Sequence, residues 1–328
     1  FEILMTGGTY KPSKMRQNKD LSPEQNTIDR RLQSFTIPVN VDIFGSFSAS
    51  DLYSSTPVVP HTENKTGEEL TSFGGKTLVP DGDIKEILAN RNSNYMTDNN
   101  KNGLIEPWEF QNPTILSGDI KASEKERNVY HVVYSNTGAI GSSATANNEV
   151  VLDGITIMNG ETMTQLKTQE GSETNDVAEI GRGGAIYTNR VNYTLNRCRL
   201  IKNSGLHGGA VYVNNASLDI IGSTISGNSN VSEKASLDEV TEPGKGGAIY
   251  LYLTKSVNGN LHIVNSLLAN NDVTYGKYTG TESSQGGAIY IRRANDANTM
   301  TAGNKDAYIV NSLIVNNKAM QDGAIHVE

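Results

Sequence analysis

The sequence predicts an all-β chain wound into a parallel β-helix, with polar loops inserted between its coils. Three observations carry this. One phrase recurs as Gly183-Gly184-Ala185-Ile186-Tyr187, Gly208-Gly209-Ala210-Val211-Tyr212, Gly246-Gly247-Ala248-Ile249-Tyr250 and Gly286-Gly287-Ala288-Ile289-Tyr290, with a worn copy at Asp322-Gly323-Ala324-Ile325-His326. A second phrase accompanies it: Cys198–Asn203, Ser223–Asn228, Ser266–Asn271 and Ser312–Asn317, with an earlier relative at Gly154–Asn159. Finally, the apolar runs are short, rich in Ile and Val, and alternate with polar residues, while no stretch of 11 or more residues carries a helical stripe. A phrase repeated once per structural unit is the signature of a solenoid, and period two makes its units strands.

The unit ends Asn159, Asn203, Asn228, Asn271 and Asn317 fall 44, 25, 43 and 46 residues apart. The bare unit is therefore the 25-residue one, and the others are that unit plus an insertion. Three short strands and three turns fit that length. Coiling stacks equivalent residues about 4.8 Å apart. Ile186, Val211, Ile249, Ile289 and Ile325 should form one aliphatic column, and Leu195, Ile220, Ile263 and Ile309 another. The asparagines should form an inward polar ladder bonded to turn backbone and to each other. With the isoleucines inward, Tyr187, Tyr212, Tyr250, Tyr290 and His326 should point outward as a surface stripe. Such a stripe either stiffens the sheet by stacking or offers a platform for sugar rings.

The amino-terminal part repeats less plainly. Phe1–Met5 reads as a strand and Gly7–Pro12 as its turn. Phe35–Phe47 reads as one or two strands, Thr114–Ile120 as a coil edge and Val129–Tyr134 as a buried strand holding a core histidine, His131. Residues 48–112 are too long for a turn and read as an insertion from the flank. Further polar insertions at 160–182, 229–245, 272–285 and 292–306 should gather on one side, where Tyr275 and Tyr278 are candidate ligand-binding aromatics.

The 48–112 insertion carries the sharpest chemical motif, Asp98-Asn99-Asn100-Lys101-Asn102-Gly103-Leu104-Ile105-Glu106-Pro107-Trp108-Glu109, which matches a calcium loop. Asp98, Asn100 and Asn102 stand at positions 1, 3 and 5, the Leu104 carbonyl at 7, Glu106 at 9 and Glu109 at 12. A hard cation takes six to eight oxygens, and this spacing can gather them. Pro107 and Pro113 deny the loop a following helix, so the expected ion is a structural clip.

The chain has 328 residues, 32 of them glycine, and a formal charge of −8. A solenoid of this length needs no division into domains. The acidic balance argues against nucleic acid as a partner. Cys198 is the only cysteine; it aligns with Ser223, Ser266 and Ser312 and reads as a small core residue. No membrane span or export signal is visible. Phe1–Met5 reads as a strand already under way and Ile325–Glu328 as a coil cut short. The expectation is thus one β-helix domain over 1–328, truncated at both ends, and the missing export signal does not argue against export.

The repeated Gly-Gly-Ala-Ile-Tyr phrase, followed by Ile263-Val264-Asn265-Ser266-Leu267-Leu268-Ala269-Asn270-Asn271, resembles right-handed parallel β-helix proteins on Bacteroidetes-type cell surfaces. Many of those carry a choice-of-anchor domain, and they are distantly similar to chlamydial polymorphic outer-membrane proteins. Patches within 1–47 and 112–328 share the likeness, among them Gly8-Thr9-Tyr10-Lys11-Pro12 and Val41–Phe47. Ser46 stands where the family usually has glycine. The resemblance implies a surface or secreted protein, anchored through parts outside this sequence, that acts in adhesion or in binding a glycan or another protein. The same architecture houses pectate lyases and polygalacturonases, so a lyase or hydrolase of acidic polysaccharide is the alternative. Asp119 and Asp153, which follow apolar runs, are the acids such chemistry would use. No acidic set repeats on adjacent coils, and Arg182, Arg190, Arg197, Arg199, Arg292 and Arg293 read as solvated. Binding is therefore the stronger expectation. A stalk that displays other domains is a third.

Overall fold

The computed structural model describes residues 1–13, 30–48, 53–57, 72–73, 76–78, 88–89, 91–92, 97–99, 101, 107–121, 127–137, 148–162, 181–230, 242–254, 259–274, 282–293 and 306–328. They form three parallel sheets of seven strands each, a parallel β-helix. Each coil contributes one strand to each sheet in turn. The fourth coil, for example, supplies Asn192–Asn196, Arg199–Ile201 and Val211–Asn214. The first sheet runs from Glu2–Thr6 to Ala307–Val310, the second from Gly8–Tyr10 to Leu313–Val315, the third from Phe35–Thr36 to Ile325–Val327.

Both expected aliphatic columns are present. Ile186, Val211, Ile249, Ile289 and Ile325 pair in register, as do Leu195, Ile220, Ile263 and Ile309. The inner members are fully buried in one continuous core with Ala185, Ala210, Ala248 and Ala288. Those on the last described coil, Ile309 and Ile325, are exposed because no described coil stacks above them.

The two glycines of the repeated phrase have different jobs. Gly246 sits at φ +68°, and a Cβ there would lie 2.1 Å from the Ile249 carbonyl oxygen. Gly247 has an ordinary φ, but its Cβ would lie 2.3 Å from the carbonyl oxygen of Gly287 on the next coil. One glycine turns the chain and the other lets neighbouring coils approach.

The asparagine ladder forms as expected over four coils. Nδ2 of Asn203, Asn228 and Asn271 donates to Oδ1 of the next asparagine at 3.1, 3.0 and 2.9 Å. Each of those Oδ1 atoms also accepts the backbone N–H of the asparagine below. Asn159 is not in the ladder. Met158 pairs with Ile201, so the rung opposite Asn203 is Gly160, whose N–H bonds Asn203 Oδ1 at 3.0 Å. Asn159 instead takes the positive φ of the turn before it, shared by Lys202, Gly227, Asn270 and Asn316. A second ladder runs through Cys198, Ser223, Ser266 and Ser312, each backbone N–H donating to the next hydroxyl at 2.9–3.0 Å. Cys198 is buried, and desolvation pushes its thiol up to about 12.

The amino-terminal readings mostly hold. Phe35–Thr36 and Val41–Phe47 are two strands, and Val129–Val133 is buried although only Val133–Asn136 is strand. Gly8–Tyr10 is a strand of the second sheet and not merely a turn. Within 48–112, Tyr53–Pro57, Ser72–Phe73 and Lys76–Leu78 form a small antiparallel sheet. The insertion is pinned to the solenoid by Arg91, which is 1% exposed. Its guanidinium donates to Asp153 Oδ1 at 2.8 Å and to the Gly45 carbonyl at 3.0 Å.

The insertions do not all leave one corner. Those at 160–182, 229–245 and 272–285 lie between second-sheet and third-sheet strands, whereas 292–306 lies between Ile289–Arg293 and Ala307–Val310, the passage from third to first sheet. Among the described residues no helix is long and apolar enough to cross a membrane.

Candidate functional site

The outward tyrosines stand in a column but not at the surface. Tyr134, Tyr187, Tyr212, Tyr250 and Tyr290 form a buried cluster separate from the interior core. Consecutive rings from Tyr134 through Tyr290 to His326 stack at 4.8–5.6 Å between centroids. The expectation of a surface stripe at Tyr187, Tyr212, Tyr250 and Tyr290 is corrected by what lies over it. The residue preceding each Gly-Gly pair joins a second column, Arg182, His207, Lys245, Gln285 and Gln321. Its cations fold across the tyrosine one coil further along: Arg182 over Tyr212 at 5.0 Å, Lys245 over Tyr290 at 5.2 Å. His207 stacks on Tyr250 at 5.2 Å in the same way, and His131 lies 5.3 Å from Tyr187. Cation–π attraction and burial hold this column as a seam, which leaves no ring face open to a sugar. Burial holds the His207 imidazole below its usual range although Glu242 lies 3.3 Å from Nε2.

The open polar surface lies along the corner where second-sheet strands end. A groove of about 920 Å³ runs there, parallel to the solenoid axis. It is lined by the turn residues Lys202, Gly227, Asn270 and Asn316, by the ladder asparagines Asn203, Asn228 and Asn317, and by a row one residue beyond them. That row is Glu161, Ser204, Ser229, Asp272 and Lys318, bridged coil to coil by backbone pairing. Hydroxyls, amides and charges thus recur at one coil's rise, about 4.8 Å. Thr162, Asn230 and Val273 immediately follow the row, so three of the insertions leave the solenoid at the groove's edge. Sequence reasoning named none of these residues as a site. The available signal was the position directly after each ladder asparagine.

Charges in the groove are partly internally matched. Glu161 faces Arg127 at 3.9 Å and accepts from the Asn128 N–H at 3.2 Å. Asp272 faces Lys318 at 3.5 Å and accepts from the Thr274 N–H at 2.8 Å. Glu161 and Asp272 are three coils apart, roughly 14 Å, wider than the roughly 5–9.5 Å between carboxyl groups that cleave glycosidic bonds together.

The acids Asp153 and Asp119 are also occupied. Asp153 is clamped between Arg91 and Arg197, at 2.8 and 2.5 Å, and accepts from Asn196 at 2.7 Å. That corrects the reading of Arg197 as merely solvated. Asp119 pairs loosely with Lys11 at 3.8 Å.

Of the calcium-loop positions, Asp98 and Glu109 are described. Asn100, Asn102, Leu104 and Glu106 lie outside the described residues, as do Tyr275 and Tyr278. The loop's two ends meet: Asn99 N–H donates to Glu109 Oε1 at 2.7 Å, and Lys101 N–H bonds the Asp98 carbonyl at 3.4 Å. Glu109 is buried and its neighbour Phe110 packs near Gly154 of the solenoid. The carboxylate at position 12 thus lies against the backbone of position 2. Comparison of the chain with family models, with curated proteins and with solved structures finds no match.

Proposed function

We propose that this chain is a glycan-binding solenoid of the cell surface or extracellular space, which lays a polysaccharide along the groove between its second and third sheets. One observation carries the reading: the groove has a polar floor row, Glu161, Ser204, Ser229, Asp272 and Lys318, over five coils, flanked by the exposed side chains of Lys202, Asn270 and Asn316. A polymer with a short regular repeat is the ligand that such a row suits. The resemblance to surface β-helix proteins supports the location. Binding is favoured over cleavage because the groove's two carboxylates are too far apart to share one bond and Asp153 is locked in ion pairs. A titration of neutral and acidic polysaccharides with the wild type and Ser229→Trp, which fills the groove's centre, tests it. Binding that survives Ser229→Trp unchanged, in a variant that melts normally, would sink the groove assignment.

The same reading includes calcium in the loop Asp98–Glu109. The side chains of Asp98, Asn100, Asn102, Glu106 and Glu109 and the Leu104 carbonyl would hold it, and the ion would supply a fixed cross-link between the insertion and the solenoid. Calcium should raise the melting temperature of the wild type and not of Glu109→Ala. Equal responses would remove the ion.

A further inference from the structure

The charge of the groove narrows the glycan, on the assumption that the groove is a glycan site. Each carboxylate in it already has a cation, Arg127 for Glu161 and Lys318 for Asp272. Two ammonium groups remain. Lys121 and Lys202 both line the groove, and neither side chain has an ion-pair or hydrogen-bond partner among the described residues. Lys202 is exposed, and its backbone sits at φ +55°, in the turn column. Lys121 follows the second coil's strand Thr114–Ser117 and Lys202 the fourth coil's strand Arg199–Ile201. The two therefore stand roughly 10 Å apart along the axis.

This surplus of positive charge lies on a chain whose net charge is −8. A polyanion is repelled by such a body as a whole and attracted at a locally cationic cleft. We infer that the groove binds an acidic polysaccharide, one bearing carboxylate or sulfate groups, with Lys121 and Lys202 meeting successive anions. The rung between the two lysines is Glu161, whose charge Arg127 meets, and beyond Lys202 the exposed amides of Asn270 and Asn316 line the groove for the sugar hydroxyls that follow. Exposed charge pairs are screened, so the contribution falls as salt rises.

The test uses matched polymers that differ only in charge: polygalacturonate against its fully methyl-esterified form, and dextran sulfate against dextran. Affinity electrophoresis or calorimetry reads binding by the wild type, Lys121→Gln and Lys202→Asn. Asparagine occupies the same turn at Asn270 and Asn316, so the latter change keeps the backbone preference. The expected result is binding of a charged polymer but not its neutral partner, weakened about tenfold by each substitution. The charged arms separate carboxylate from sulfate. Equal binding of charged and neutral partners would overturn the inference and leave the glycan reading standing. Unchanged binding in both lysine variants would overturn it as well. No binding to any of the four polymers would end both.

Discussion

Asn228 lies directly beneath Asn271, its Nδ2 donating at 3.0 Å and its backbone N–H at 3.1 Å to the single oxygen Asn271 Oδ1. Its second Nδ2 hydrogen goes to the Leu200 carbonyl at 3.1 Å. Every polar atom of that buried amide is therefore used, and removing one rung strands partners on two coils. Asn228→Ala should lower stability by about 2–4 kcal/mol, while Asn317→Ala on the outermost described rung should cost only about 1 kcal/mol. Denaturant midpoints compare them; equal losses would show that the ladder is not continuous.

The two repeat glycines should respond differently from a turn glycine. Gly247→Ala forces a Cβ onto the backbone of the neighbouring coil and should cost about 1–3 kcal/mol. Gly227 also has positive φ, +64°, but nothing lies within 4 Å of its added Cβ. Gly227→Ala should therefore show only the left-handed backbone cost, about 1 kcal/mol. Thermal unfolding distinguishes the two, and a reversed order would contradict the close approach of coils.

Arg91 ties the 48–112 insertion to the solenoid through Asp153. Asp153→Ala leaves a buried guanidinium without its carboxylate and should cost about 3–5 kcal/mol. Arg91→Met should cost less, because Asp153 keeps Arg197 and Asn196. Chemical denaturation of both variants checks the asymmetry.

Cys198 should be inert in the folded protein. Its buried thiol, pushed up to about 12, offers almost no thiolate at pH 8. A thiol reagent should label it only after denaturation. Cys198→Ser should be well tolerated, since serine fills the same rung on the next three coils. Rapid labelling of native protein would contradict its place in the core.

His207 gives the tyrosine seam a pH dependence. Burial keeps the folded imidazole's pKa below its usual value, so the unfolded chain takes the proton first as pH falls. Stability is full above the ordinary value of about 6.5 and declines as pH drops through it, by at most about 1.4 kcal/mol per pH unit. His207→Gln, the residue found at Gln285 and Gln321 in the same column, should flatten that part of the acid limb. Melting temperatures between pH 8 and 5 measure it; parallel curves would rule out His207 as the source.

The amino-acid order alone determined the solenoid, its aliphatic columns and its asparagine ladder, because these depend on spacing within a unit that stacks on copies of itself. Register follows from Ile186 aligning with Val211 as surely as Asn203 aligns with Asn228, and one residue of error at Asn159 did not disturb it. Only the tertiary structure decided what the outward side chains meet. Period two places Tyr187 and Tyr250 outside the coil, but the cover over them comes from His131 and His207, which belong to the preceding coils. The groove likewise had only a faint signal, the position after each ladder asparagine, since Lys121, Glu161 and Asp272 are set along one face by the rise of the helix and not by a constant spacing along the chain. Local alternation reports which face a side chain takes; what covers that face depends on residues contributed by other coils.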